Sequence, residues 1–353
     1  MLCEQIPAGR VGLALPLFAL LLLAGDSAAQ SFNFFTIDVP CSACPGGIAL
    51  STSASGINPA GDIVGSYTDA AGKSHGFLLS GGQFTNIDVP GELMGVGGTL
   101  PTGANAISPS GEIIGTYTAP VSSAPFGSPE YCVAAKPASC IKGFLYSHGQ
   151  FSTVLFPLPS GGVHPGSVPH HITPNGNIYG CLHDRDTGMS MFGAVWTRHG
   201  GFNLTAGGGE LGNSDPNAAT GVPMSMNNGA TPDGHTIVGH WTEMNPDMTT
   251  HTHGYFVQNG EFSAYDVPGS AATVIWNINP AGAIVGFYHS DRNHPFLRLS
   301  DGSAPITLDL VPGFPAIIGG AAVSINPAGV IVGGYTDPNR HSHGFMAVPM
   351  ASY

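Results

Sequence analysis

Four histidines in this sequence stand at matched distances from four aspartates. An imidazole beside a carboxylate is the pairing that general acid–base catalysis uses, and the two groups also bind transition metals. On two adjacent strands, the same pair can instead be a structural hydrogen bond. The four pairs are His75 with Asp88, His253 with Asp266, His294 with Asp309, and His343 with Asp38.

The spacing of these pairs favours the structural interpretation. His75 and Asp88 lie on either side of a two-residue turn, Gly81-Gly82, which places them directly opposite each other across a hairpin. Four such pairs belong to four different copies of a repeat, so they cannot converge on one substrate. We therefore predict that each pair pins a hairpin, and we assign catalysis to none of them.

Three polar clusters in predicted loops are the other candidates for chemistry. Carboxylate, imidazole and guanidinium groups in one loop can bind a ligand or a metal, or they can be a solvated loop surface. The sequence has no zinc-protease, serine-hydrolase, phosphate-loop or calcium-loop motif. We therefore predict no metal, no cofactor and no catalytic residue. The ligand-binding candidates are His183, Asp184 and Asp186, then Glu243, Asp247 and His251, and finally His289, Asp291 and Arg292.

A stretch of twelve residues that recurs six times must position all of these groups. Its first copy is Gly56 to Tyr67, and a spacing of about 50 residues between copies is typical of a repeat architecture. The later copies start at Ala106, His171, Ala230, Asn277 and Ser324.

Each repeat is predicted to be four antiparallel strands. Asn58-Pro59-Ala60-Gly61 is a turn sequence, which ends a first strand at Ile57 and begins a second at Asp62. The third strand runs from His75 to Ser80 and the fourth from Gln83 to Val89, where Pro90 stops it. Successive connections alternate between the two ends of such a unit. The 1–2 and 3–4 turns define a short-turn face, whereas the 2–3 loops and the connections between units define a long-loop face.

The last repeat lacks a fourth strand, and the chain supplies a candidate at its other end. Phe34 to Pro40 matches Phe84 to Pro90 almost residue for residue, with no first strand before it. We therefore predict that the N-terminal strand completes the last unit and closes the array. The predicted fold is an all-β, six-bladed β-propeller of four-stranded antiparallel blades, formed by residues 30–353 as a single domain.

The repeat resembles the HAF-type extracellular repeat family of secreted bacterial proteins. The likeness rests on His-Gly-Phe-Leu-Leu, Gly-Ile-Asn-x-x-Gly and Ile-Val-Gly-x-Tyr and covers nearly all of residues 30–353. It departs at Gly76, Gly254 and Gly344, where the family has alanine. The resemblance implies a propeller-like fold and secretion, and it implies no defined activity.

Processing and cysteine usage also indicate secretion. Residues 1–29 have a charged start, a short apolar run and a small-residue cleavage site, which together predict a signal peptide. We predict a periplasmic or extracellular protein whose mature chain has no membrane span. Two disulfides are predicted, Cys41 with Cys44 and Cys132 with Cys140; a redox C-x-x-C is the alternative for the first pair. Cys181 is left over and is predicted to be a buried thiol.

Charge and loop length limit the function. A net charge of −13 argues against nucleic acid and anionic membranes, which both need a basic surface. Because variable loops on a rigid scaffold usually carry function, we predict that the long-loop face binds a protein or carbohydrate ligand without catalysis. The alternative is a secreted lyase or hydrolase acting on polysaccharide or cell wall, with its site at the mouth of the axis. A structural role in an envelope assembly is a third hypothesis.

Overall fold

The computed structural model describes residues 30–126, 128–134, 137–156, 166–183, 191–198, 202–204, 224–244, 247 and 249–350. These residues form strands and short 3-10 turns without any α-helix, which confirms the predicted all-β class. In this part of the chain, no helix has the length and apolar character needed to cross a membrane. The predicted signal peptide, residues 1–29, lies outside the described residues.

The strands pair in chain order into antiparallel units, and we number these units by their position in the chain. Unit 1 contains β2 (Ser51–Ile57), β3 (Ile63–Thr68), β4 (Ser74–Ser80) and β5 (Gln83–Ile87). Unit 2 contains β6 (Thr102–Ile107), β7 (Ile113–Thr118), β8 (Ile141–Ser147) and β9 (Gln150–Val154). Unit 3 contains β10 (Gly166–Ile172), β11 (Ile178–His183), β12 (Met191–Trp196) and β13 (Phe202–Leu204).

The second half of the chain repeats this arrangement. Unit 4 contains β14 (Met224–Ala230), β15 (Thr236–Met244), β16 (Thr250–Gln258) and β17 (Glu261–Tyr265). Unit 5 contains β18 (Ala272–Ile278), β19 (Ile284–His289), β20 (Asn293–Arg298) and β21 (Ile306–Thr307). Unit 6 contains β22 (Gly319–Ile325), β23 (Ile331–Thr336) and β24 (Ser342–Pro349).

The N-terminal strand β1 (Phe32–Ile37) lies against the last strand of the chain. It pairs antiparallel with β24, from Phe32 opposite Pro349 to Ile37 opposite Gly344. The hydroxyl groups of Thr36 and Tyr335 are 3.0 Å apart beside this pairing, and the side chain of Phe32 is buried against unit 6. Unit 6 therefore contains four strands when β1 is included.

Turn chemistry explains why each first strand ends where it does. In unit 1 the backbone N–H of Asp62 donates to Oδ1 of Asn58, and Gly61 has a φ of 90°, which favours glycine. The backbone N–H of Gly61 donates to the carbonyl of Asn58 and closes the turn. Asn279 and Asn326 accept equivalent bonds in units 5 and 6.

The glycine of the repeated Ile-Val-Gly makes room for an aromatic ring. A Cβ on Gly65 would overlap both the carbonyl oxygen of Ser53 and the ring of the fully buried Phe77. Gly115 makes the same space for Phe144. The second-strand glycine and the third-strand aromatic residue are thus one packing device, which is repeated through the molecule.

A buried hydroxyl near the start of the first strand joins each of five units to the preceding unit. In each case the hydroxyl oxygen accepts a hydrogen bond from a backbone N–H of the preceding unit or of the segment that leaves it. We call this contact the hydroxyl latch. The hydroxyls belong to Thr52, Thr102, Ser167, Ser225 and Thr273, and the donors are Val39, Val89, Phe156, Gly193 and Val267 in the same order. The equivalent residue of unit 6 is Gly320, which has no hydroxyl.

Both predicted disulfides are present, Cys41–Cys44 and Cys132–Cys140. Cys181 is a buried thiol, and burial raises the pKa of that thiol. The Cys132–Cys140 disulfide closes a loop that lies beside Lys142. Nζ of Lys142 donates to the carbonyls of Tyr131 at 2.7 Å and Ser139 at 2.9 Å.

Several strand boundaries differ from the predicted ones, and the differences in units 1 and 5 are the largest. The first strand of unit 1 starts at Ser51, whereas the sequence predicts a strand over only residues 55–57, since the short residues Ser51 to Ala54 carry no β-branched or aromatic pattern apart from Thr52. In unit 5 the fourth strand has only two residues, and Asp309 lies in a 3-10 turn instead of a strand. The wide connection between Arg298 and Ile306 replaces the predicted two-residue turn.

Candidate functional site

All six first strands contain a β-bulge at the same position of the repeat. In β2 the register shifts between Ala54 and Gly56, so that Ser55 is the extra residue. A bulge leaves one residue outside the ladder and turns its side chain to a new direction. We call the six extra residues the bulge ring: Ser55, Asn105, His170, Asn228, Trp276 and Val323.

The bulge ring lines one cavity, which we call the axial cavity. Its volume is about 360 Å³, and Ser53, Val168 and Asn277 complete the lining. Ser53 and Val168 lie nearer to the starts of their strands than the bulges do, so the cavity extends towards the long-loop face. At the short-turn face, a narrower pocket of about 80 Å³ is lined by the turn residues of all six repeats.

Asparagine side chains of the ring bind the neighbouring units. Nδ2 of Asn105 donates to the carbonyl of Pro169 at 2.8 Å, and Nδ2 of Asn228 donates to the carbonyl of Ile275 at the same distance. These bonds hold the two amide groups rigidly in the cavity wall. A rigid wall favours binding because little side-chain entropy is lost when a ligand enters.

Asn228 has one hydrogen-bonding atom without a partner. Its second amide hydrogen points to Nδ1 of His240 at 2.8 Å, so both Nδ2 hydrogens are used. Asn228 is only 2% exposed, and its Oδ1 has no hydrogen-bond partner. A buried acceptor in that state costs about 1–3 kcal/mol unless water or a ligand satisfies it.

Trp276 forms an aromatic wall with two histidines. The ring centroids of His170 and His240 each lie 6.0 Å from that of Trp276, at tilted angles. Nε1 of Trp276 is shielded from solvent and has no acceptor among the described residues. Behind the cavity surface there are thus a buried donor on Trp276 and a buried acceptor on Asn228, each without a partner in the described part of the chain.

Two histidines that contact lining residues of the axial cavity are neutral at neutral pH. Burial lowers the pKa of both His240 and His171 to about 4, so both rings are neutral at pH 7. Among the described lining residues of the cavity there is no carboxylate, lysine or arginine. The thiol of Cys181 lies behind the wall, 3.5 Å from Nε2 of His170, and its raised pKa keeps it protonated. The lining can form hydrogen bonds and stacking contacts with a neutral molecule.

The histidine–aspartate pairs do not line this cavity: each histidine lies on a third strand, and each aspartate directly follows the fourth strand or, in unit 5, lies in the 3-10 turn after it. Each histidine points Nδ1 at its aspartate and Nε2 at a second carboxylate, and its ring stacks on an aromatic ring of the second strand. The Nδ1–carboxylate distances are 2.9 Å for His75 with Asp88, 2.7 Å for His253 with Asp266, 2.9 Å for His294 with Asp309 and 2.8 Å for His343 with Asp38. The second carboxylates belong to Asp69, Glu243, Asp291 and Asp337, and the stacked rings to Tyr67, Trp241, Tyr288 and Tyr335.

The predicted ligand-binding residues of the three loops do not come together at one site in the described part of the chain. Asp291 contacts Nε2 of His294 at 2.7 Å, and Arg292 bridges Asp291 and Asp309 with two 3.0 Å contacts. His289 pairs with Asn293 at 2.9 Å. These four contacts belong to unit 5 itself, and none of the residues lines the axial cavity.

The candidates of the other two loops are likewise separate. Glu243 lies 3.7 Å from His253, and the rings of His251 and His253 are 4.2 Å apart. Asp247 is exposed and accepts bonds only from Thr249 among the described residues. The side chain of His183 and the whole of Asp184 and Asp186 lie outside the described residues. Within the described part of the chain, no group of three or more His, Cys, Asp and Glu residues is arranged to hold a metal ion.

The sequence reading did not identify the bulge ring. Its residues immediately precede the repeated Gly-Ile-Asn-type segment, and they range from Ser55 to Trp276 in size. A comparison of the six copies does not mark this position, because the flanking residues also change in chemical type, for example from Gly56 to His171 on its C-terminal side. The second carboxylate beside each histidine was also missed, because the 2–3 loops that carry it differ in length.

Comparison with known proteins gives distant structural similarity to β-propeller proteins. The lectin of Aleuria aurantia in complex with Fucα1-6GlcNAc is 12% identical over 84% of this chain and 94% of that chain, with a TM-score of 0.41. The β-propeller domain of the Trilobed protease from Pyrococcus furiosus is 10% identical over 86% and 99%, with a TM-score of 0.39. The polysaccharide lyase Uly1 is 10% identical over 85% and 77%, with a TM-score of 0.43.

These values are too low to support any inference about ligand or reaction. No family model matches the chain, and no curated protein sequence matches it. The resemblance to the HAF-type extracellular repeat family therefore stays a prediction from the sequence.

Proposed function

We propose that this chain is a secreted, non-enzymatic, closed six-bladed β-propeller that binds a neutral carbohydrate in its axial cavity, entered from the long-loop face. One observation carries the proposal. Six bulge residues, one from each repeat, line a single cavity without a described carboxylate, lysine or arginine, and its wall contains a buried donor and a buried acceptor that have no partner among the described residues.

Two features support the closed, six-bladed arrangement. The pairing of β1 with β24 supplies unit 6 with a fourth strand from the far end of the chain. The bulge residues of all six units also meet at one cavity, which a radial arrangement of blades produces and an open row of units does not.

The cavity chemistry favours a sugar over other small ligands. Its described lining combines an indole, an imidazole, asparagine amides and serine hydroxyls without a carboxylate, lysine or arginine, which suits a molecule rich in hydroxyl groups. Indole offers both an apolar face for stacking and an N–H donor. A volume of about 360 Å³ is at the lower end of the range of ligand pockets, which fits a compact ligand.

The alternative function, a lyase or hydrolase, finds less support in this cavity. Such an enzyme needs a carboxylate, histidine or arginine pair with a suitable pKa at the reacting bond. The described lining has no carboxylate, and His171 at its short-turn end has its pKa lowered to about 4 by burial. A base of that strength is weak at neutral pH. The histidine–aspartate pairs are better placed, by their distribution over four units, to pin strands.

Secretion is part of the same proposal. The two disulfides suit an oxidising compartment, either the periplasm or the outside of the cell. The signal-like residues 1–29 supply the export signal in this scheme. An extracellular location would also bring the axial cavity into contact with polysaccharides.

The test is binding of the oxidised, folded protein to an array of immobilised neutral glycans one to six sugar units long. We expect binding to a subset, and a Trp276→Phe variant should weaken it about tenfold, since it removes a hydrogen bond of about 1.5 kcal/mol. Trp241→Phe makes the same chemical change at an outer strand and should leave binding intact. No binding by folded wild-type protein, or equal binding by Trp276→Phe, would refute the proposal.

A further inference from the structure

A second compartment adjoins the axial cavity over unit 6, and we call it the unit-6 groove. The groove has a volume of about 380 Å³, and Ser53 and Val323 line both compartments. It runs over the start of β22, the end of β23 and the start of β24 at the long-loop face, between Asn293 of unit 5 and Thr52 of unit 1.

Gly334 lies against Ser53, where the two compartments meet. The other five units place a larger residue at this position of the second strand, and these residues are Ser66, Thr116, Cys181, His240 and Phe287. The backbone of Gly334 is not in the left-handed region, so its conformation does not require glycine. A Cβ there would lie 3.0 Å from Oγ of Ser53, so a larger residue would press on Ser53, which lines both compartments.

The floor of the groove is opened by the missing hydroxyl latch. In five units a buried Ser or Thr fills this place and binds the preceding unit, whereas unit 6 has Gly320. The residue that would donate to this latch also differs. Val89, which donates to the latch of unit 2, is fully buried, whereas its equivalent after the fourth strand of unit 5, Leu310, is 70% exposed. Unit 6 thus departs from the repeat at two strand positions that both clear one groove.

The groove has the same chemical character as the cavity. Hydroxyl and amide groups line it, including those of Thr52, Asn293, Tyr335 and Ser342, and its one histidine, His343, is already paired with Asp38. A ligand that fills both compartments must therefore be long, uncharged and rich in hydroxyl groups. Resting on the proposed function, we infer that the ligand is an oligosaccharide. One sugar unit occupies the axial cavity, and the next unit passes Gly334 into the unit-6 groove.

The experiment uses the same array of neutral glycans, with monosaccharides compared against oligosaccharides that end in the same sugar. Wild-type protein should bind the oligosaccharides at least tenfold more tightly than the corresponding monosaccharide. Gly334→Ser and Gly334→Thr place in unit 6 the residues that units 1 and 2 already hold, and the side chain of Ser53 must shift by a few tenths of an ångström to admit them. Both should remove the preference for oligosaccharides and keep monosaccharide binding. Gly103→Ser is the control, because a Cβ there has room and lines neither compartment.

The outcomes separate this inference from the proposed function. Equal binding of monosaccharides and oligosaccharides by wild-type protein would overturn the inference and leave the proposed function intact. An unchanged length preference in both Gly334 variants, with melting temperatures near that of wild type, would also overturn it. If folded wild-type protein binds no glycan, the proposed function fails and the inference fails with it.

Discussion

The four histidine–aspartate pairs allow a graded test within one molecule, because they differ in burial. In the pair of His294 with Asp309 the side chains are 8% and 1% exposed, whereas in the pair of His253 with Asp266 they are 15% and 39% exposed. Removing an imidazole leaves its carboxylate behind. A buried carboxylate cannot recover hydration, and an exposed one can. We therefore expect His294→Ala to destabilise the protein more than His253→Ala.

The magnitudes follow from the remaining partners. Breaking a buried ion pair costs about 3–5 kcal/mol, and Arg292 still contacts Asp309 at 3.0 Å after the substitution. We therefore expect about 2–3 kcal/mol for His294→Ala. Asp266 is exposed enough to regain water, so His253→Ala should cost about 1 kcal/mol. At about 2 °C per kcal/mol for a large domain, the melting temperature should fall by about 5 °C and about 2 °C.

The assay is thermal unfolding of the oxidised protein, followed by circular dichroism and calorimetry. His235→Ala is the matched control, because that histidine lies in a turn with its side chain 74% exposed. Glycan binding should be unchanged in all three variants. Equal shifts for His253→Ala and His294→Ala would contradict the burial argument. Lost binding at an unchanged melting temperature would show that the pairs are functional rather than structural.

Two further predictions concern the latch and the aromatic wall. Thr273→Val removes the hydroxyl that accepts from the N–H of Val267 at 2.9 Å, so it should cost about 1–3 kcal/mol by urea unfolding, while Thr242→Val at a half-buried site should cost less. His240 is buried with its pKa lowered to about 4, below the value of about 6.5 in an unfolded chain. The unfolded state therefore binds the extra proton first, and stability should decline as the pH falls from about 6.5 to about 4. A His240→Asn variant should lose less stability over that range; an identical pH profile would contradict the assignment.

The repeated turns allowed much of the fold to be predicted from the sequence. Asn58, Pro59 and Gly61 carry their conformational preferences in the residue types themselves, and the Gly81-Gly82 turn fixes which residues face each other in its hairpin. The pairing of β1 with β24 was also suggested by the match between Phe34 to Pro40 and Phe84 to Pro90. Local chemistry and internal comparison were sufficient for these features.

The candidate site could not be predicted from residue types in the same way. A bulge at Ser55 or Val323 follows from how neighbouring strands fit together, and neither residue type has a preference for it. The sequence analysis gave weight to charged loop residues such as Asp247, whereas the axial cavity lies among side chains of the first strands. Convergence on an axis is a property of the whole array, which no single repeat displays.

The pairing of β1 with β24 has a consequence for how the protein is made. β1 leaves the ribosome first, and its partner is synthesised last; Asp38 and His343, which join them, are 305 residues apart in sequence. The apolar residues Phe32, Phe34 and Ile37, which this pairing helps to cover, must therefore stay exposed until synthesis is almost complete. A chain that stops before Ser342 can never cover them. Quality-control factors that recognise apolar segments could thus tell a finished molecule from a truncated one by this strand alone.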